Sequence, residues 1–143
     1  MGVVNTEITL KNLNDEVIAK NGYIKPEEVR TVTVTAVAGT GSLHLVITED
    51  IQKKLGLGLK DEKTANIANG QLVKCYLTDA VEIQWKNRST VLPALVIPGS
   101  TKVLFGAIPM EAMDLMVNPV NQEVVGVHGD KEEYLAVSVL AVI

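Results

Sequence analysis

The triplet Gly39-Thr40-Gly41 is where this chain shapes its backbone for chemistry. It follows the β-branched run Thr31-Val32-Thr33-Val34-Thr35-Ala36-Val37 and precedes Leu43-His44-Leu45-Val46-Ile47. A glycine pair after a strand invites a phosphate-cradling loop. Such a loop must open a helix whose N-terminus meets the phosphate, and here the chain continues as strand. Ser42 and His44 are two apart, so on a strand they share a face. A serine nucleophile would also need its base oriented by a third group and an oxyanion hole. A polar pair beside a turn is the better reading. His44 and His128 as metal ligands would need acidic partners, and Asp130 is the only one close in sequence, so no metal is expected. Asp79 and Asp114 stand as isolated acids, Asp79 in the turn Thr78-Asp79-Ala80.

Other short patterns carry less. Asn87-Arg88-Ser89 is a glycosylation sequon that is expected to be only a turn. Met1-Gly2-Val3-Val4-Asn5-Thr6 fits a myristoylation pattern that is common by chance. Met110, Met113 and Met116 are spaced for core filling on a helix. Cys75 is the only cysteine, which excludes an intrachain disulfide and a cysteine-rich zinc site.

A length of 143 residues suits one core rather than two. The formal net charge of −4 argues against a nucleic-acid partner. Aromatic residues are only 3% of the chain, too few for stacking platforms, so the core must be built from Val, Leu, Ile and Ala. Hydrophobic residues reach 47%, yet no apolar run approaches the roughly 20 residues that span a bilayer. The N-terminus lacks the basic, apolar and small-residue order of a signal peptide. No membrane partner is expected, and a cytoplasmic location is.

Thr6–Leu10 alternates and predicts a short strand, with residues 11–25 mostly irregular. A long strand over Glu28–Ala38 is interrupted by the glycine turn and resumes through Leu43, Leu45 and Ile47. Thr48 to Gly56 predicts a compact helix: Thr48 caps it, Glu49 and Asp50 sit at its positive end, Lys53 and Lys54 at its negative end, and Gly56 stops it. Asn69-Gly70 signals a hairpin between residues 64–67 and 71–77. Val81–Trp85 alternates, turns at Lys86-Asn87-Arg88 and returns through 90–97, where Pro93 marks an edge or a bulge. A buried strand, Lys102–Phe105, ends at Gly106, and a second helix is expected over Pro109–Leu115. Residues 134–143 are apolar and β-prone. The spacing of strands and turns predicts an all-β fold, a closed β-barrel with two short helices.

From Glu28 to Asp130 the chain resembles the retropepsin-like aspartic peptidases of bacterial type. Three features carry the resemblance. One is the glycine turn followed by Val46-Ile47-Thr48-Glu49 and a helix ending Lys54-Leu55-Gly56-Leu57. Another is the Ala68-Asn69-Gly70 hairpin, at the place of the family's substrate-covering flap. The most specific is Val103-Leu104-Phe105-Gly106-Ala107-Ile108-Pro109, continued into Met113-Asp114-Leu115 and Asn118-Pro119-Val120, similar to the family's Leu-Leu-Gly strand end and helix.

The resemblance implies an acid-protease-like barrel over 28–130, with an N-terminal strand and arm over 1–27 and a C-terminal strand over 131–143. It also implies a homodimer without cofactor, in which each chain supplies one aspartate to a water-activating pair that shares a proton. That aspartate belongs to an Asp-Thr-Gly motif, and here its place is taken by Gly39. Thr40 and Gly41 match, and both have structural roles in the family. No catalytic residue is therefore expected at Gly39, Thr40 or Gly41. Ile67, Ala68, Asn69 and Gly70 are the expected flap over an extended peptide, and Leu104, Phe105 and Gly106 the structural motif. An inactive, peptide-binding homologue is the first expectation. An aspartic endopeptidase whose aspartate is mutated or supplied by a partner chain is the second. A non-enzymatic assembly protein is the third.

Overall fold

The computed structural model describes residues 3–67 and 69–129. In chain order these form β1 (Val4–Asn12), α1 (Leu13–Lys20), a single 3-10 turn (Pro26–Glu28), β2 (Thr31–Ala38), β3 (Val46–Ile47) and α2 (Glu49–Leu55). Then come β4 (Leu59–Asn66), β5 (Leu72–Trp85), β6 (Arg88–Val96), β7 (Val103–Phe105), α3 (Ala107–Ala112), β8 (Leu115–Asn118) and β9 (Glu123–Gly126).

Six strands close into a barrel in the order β1-β2-β7-β3-β6-β5, with β5 returning to β1. Strand β4 hangs from β5 as an edge, and β8 with β9 makes a separate hairpin. The seam joins Thr9 to Gln84, Leu10 to Ile83, Lys11 to Glu82 and Asn12 to Val81. Trp85 locks it, its Nε1 donating to Thr6 Oγ1 at 2.8 Å. Inside, Ile8, Leu10, Leu45, Ile47, Val81, Ile83 and Phe105 are fully buried, as the alternation of apolar residues along strands demands.

The expected mostly-β barrel is present, but the α-helices among the described residues number three rather than two. Residues 11–25 are not mostly irregular. Asn12 is buried at the end of β1; its Oδ1 accepts from Asp15 N (3.0 Å), which starts α1, and its Nδ2 donates to Leu55 O at the end of α2 (2.8 Å). Asp15, also buried, accepts from the backbone N, Nε and Nη2 of Arg30 at 2.8–3.0 Å. This polar corner ties α1, α2 and the entry to β2 together.

Other boundaries move. The segment after the glycine turn is strand only at Val46–Ile47: Ser42 and Leu43 give their carbonyls to Ala107 and Ile108 at the start of α3, and Leu45 O accepts from Leu95 N of β6. The two strands expected over 71–77 and 81–85 are one strand of 14 residues, β5. Its register slips between Leu77 and Ala80, opposite Pro93. There the buried Thr78 hydroxyl accepts from Ala94 N (3.0 Å), replacing the regular ladder partner. Helix α3 starts at Ala107 and ends at Ala112 rather than spanning 109–115. Helix α2 is capped as expected: Thr48 Oγ1 accepts from Ile51 N at 3.2 Å, and Gly56 takes the left-handed conformation, φ +64°. The expected C-terminal strand over 131–143 lies outside the described residues.

Candidate functional site

Strand β2 delivers the glycine turn to the mouth of the barrel. Its last three residues pair in parallel with β7, placing Ala38 opposite Phe105. Beyond Ala38 the chain turns through two left-handed glycines, Gly39 at φ +71° and Gly41 at φ +83°, conformations that cost a side-chain-bearing residue energy. Thr40 Oγ1 accepts weakly from Ser42 N (3.4 Å), and Ser42 Oγ donates to His44 O (3.1 Å). The Ser42 hydroxyl is thus engaged by backbone and is not aimed at the His44 ring.

The end of β7 buttresses this turn. Ala107 N donates to Ser42 O and Ile108 N to Leu43 O, both at 2.9 Å. The backbones approach so closely that a Cβ on Gly106 would lie 2.2 Å from His44 O. Only glycine fits there. The structure therefore brings Gly39, Thr40 and Gly41 together with Phe105 around a hollow of about 210 Å³, whose floor includes Met110, Leu115 and Val117. Leu104 lies apart from it, paired with Val46 and Val37. The one acidic residue lining the hollow is Glu111, on α3. A Cβ on Gly39 would point at β8, 3.2 Å from Val117 Cγ2.

The β4–β5 hairpin closes with Ile67 N donating to Gln71 O (3.0 Å) and Gly70 N to Ile67 O (2.9 Å). Three residues lie between Ile67 and Gln71, with Gly70 left-handed at φ +81°, so this is a three-residue loop rather than a two-residue Asn-Gly turn. Asn69 Oδ1 accepts from Gln71 N at 2.9 Å, an Asx-type brace. Ala68 lies outside the described residues. The hydrogen bonds of Ile67, Asn69 and Gly70 all stay inside the hairpin.

One polar cluster was invisible in the sequence. Asp114 is not isolated: its carboxylate accepts from His128 N (3.2 Å), and His128 Nδ1 lies 2.9 and 3.0 Å from its two oxygens. Arg88, the middle residue of the supposed sequon, is buried. Its Nη1 donates to Met113 O (2.9 Å) and Asp114 O (3.0 Å), and its Nη2 donates to Gly129 O. A guanidinium gathering carbonyls from the end of α3 and from Gly129 is a staple for the chain after β9. Asp79, the other acid set aside, accepts from Gly58 N (3.0 Å) and holds the loop before β4. No group of three or more metal-binding side chains occurs among the described residues. None of their helices is long and apolar enough to cross a membrane.

A family model described as "Aspartyl protease" matches residues 26–108, more than half of the 143-residue chain. The chain belongs to that family. No curated protein matches the sequence.

Proposed function

We propose that this chain is a non-catalytic aspartyl-protease homologue that works as a homodimer and holds extended peptides beneath the β4–β5 hairpin. The observation that carries the reading is Gly39. Peptide hydrolysis in this family needs a carboxylate at the turn to take a proton from water. Glycine has no such group, and its left-handed φ of +71° is a backbone state that an aspartate would enter at a cost. Leu43 and Ile108 support the binding part. They flank the turn and remain 60% and 39% exposed, apolar surface that a peptide or a second copy would cover. The free, buried thiol of Cys75 suits a reducing cytoplasm.

The test is incubation of the purified chain with a peptide library between acidic and neutral pH. The expected result is binding without cleavage. Turnover blocked by a transition-state mimic of peptide hydrolysis would sink the non-catalytic reading. Turnover appearing only in Gly39→Asp would favour an aspartate lost by mutation. Light scattering combined with gel filtration tests the dimer, and a monomer at micromolar concentration would remove it.

A further inference from the structure

Strand β2 is paired along the whole of one edge and along only part of the other. On one side β1 accompanies it from Lys11 opposite Thr31 to Val4 opposite Ala38. On the other side β7 reaches only Ala36, Val37 and Ala38. Over residues 31–35 no described strand covers that second edge.

A hollow of about 680 Å³ lies beside this stretch, and Val32, Thr33, Val34 and Thr35 all line it. A hollow on one face of a strand would meet only alternate side chains. Four consecutive residues mean that it meets the strand edge-on as well. In an antiparallel pair alternate residues turn both their N–H and C=O away from the partner, so β2 offers these groups to the hollow. Proteins commonly blunt such an edge with proline, lysine or a bulge. Residues 31–35 are Thr-Val-Thr-Val-Thr and carry none of these.

The opposite wall supplies side-chain chemistry. Ile51 of α2 gives it an apolar surface. Lys54 is neutralised by Asp50 at 3.1 Å, whereas Lys102, just before β7, lines the hollow without an ion pair among the described residues. The volume lies within the range of about 300–1,000 Å³ that holds a compact small molecule. A row of open backbone groups selects instead for a ligand with a backbone of its own.

We propose that this groove is a second peptide site, distinct from the glycine turn, in which an extended segment adds a strand to β2 and sets an acidic residue against Lys102. The stretch it pairs with, residues 31–35, lies at the end of β2 away from the glycine turn.

The probe is the synthetic peptide acetyl-Val-Thr-Val-Glu-Val-Thr-amide, added to the full-length chain and followed by amide hydrogen exchange. Saturation is expected to slow exchange of the amides on that edge of residues 31–35 at least tenfold. Of two analogues N-methylated at odd or at even positions, one should lose binding, since only one set of peptide N–H groups faces β2. Replacing Glu by Lys in the peptide should weaken binding about threefold, and Lys102→Glu should reverse the preference. Unchanged exchange over 31–35, equal binding of both analogues, or protection confined to residues 39–43 would each overturn the proposal. Protection already present without peptide and lost on truncation after Gly129 would also overturn it, by naming the chain's own residues 130–143 as the occupant.

Discussion

Val117 Cγ2 stands 3.2 Å from the point at which Gly39 would carry a Cβ. A side chain at position 39 would thus face a methyl group of β8, on a backbone already turned left-handed. Position 39 resists a side chain on two counts: a left-handed backbone, and a contact that Val117 must relieve by a few tenths of an ångström.

Gly39→Ala should therefore lower unfolding stability by about 1–2 kcal/mol, the cost of a left-handed conformation for an L-residue. Chemical denaturation measures it. The same substitution made in a Val117→Ala background should cost less, because the crowding part is gone. Equal costs in both backgrounds would show that Val117 does not confine the site.

Gly106→Ala should be worse. The clash there is with backbone, His44 O at 2.2 Å, which cannot rotate aside. The expected loss is about 1–3 kcal/mol or more, together with faster exchange of the Ala107 and Ile108 amides that hold the turn. A stable variant with both amides protected would contradict the buttress described above.

Asp15 links stability to acid. The Arg30 guanidinium, hydrogen-bonded to it, holds its carboxyl below the ordinary carboxylate value, with burial opposing. A depressed acid contributes stability that is present above its unfolded value near 3.8 and fades as pH falls through the lower folded value. Asp15→Asn should cost about 1–3 kcal/mol at neutral pH and remove part of the acid limb of a stability-against-pH curve. An unchanged acid limb would exclude the pair as its source.

Glu16 acts in the opposite sense. Burial first, and then the neighbouring Glu82 carboxylate, push its carboxyl above the ordinary 4.5. One of its oxygens is buried without a hydrogen-bond partner. The folded state then favours the protonated acid, so stability is fullest below 4.5 and declines as pH rises from there through the raised folded value. Glu16→Gln should melt higher than the parent at neutral pH and equal it in acid. A lower melting temperature at neutral pH would reverse the sign of this argument.

What could be read from sequence was local. Helix α2 announced itself because Thr48, its acids, its lysines and Gly56 all act within one short helix. The glycine turn announced itself by interrupting a β-branched run. Helix α1 did not, since Val17 and Ile18 are 48% and 40% exposed and leave no apolar stripe to detect. Its cap is the local bond from Asp15 N to Asn12 Oδ1, but the same side chain is also held by Leu55 O, a partner 43 residues away. The pairing of Asp114 with His128 was hidden for a similar reason. It requires Asp114 itself to sit at φ +58°, an unfavourable state for a non-glycine residue that no local pattern betrays. The glycine at position 39 was legible in the sequence, but the methyl group that crowds it comes from a separate hairpin.

The seam of the barrel has a spectroscopic consequence. Trp85 is the only tryptophan, it is 2% exposed, and its indole N–H is spent on Thr6, 79 residues earlier in the chain. Lys86 Nζ lies 4.6 Å from the centre of the same ring. Contacts of such sequence separation carry a large loop-closure cost and lean toward the late side of folding. Intrinsic fluorescence from this chain is accordingly not an average over many sites. It reports, from one indole, whether the first strand has met the fifth.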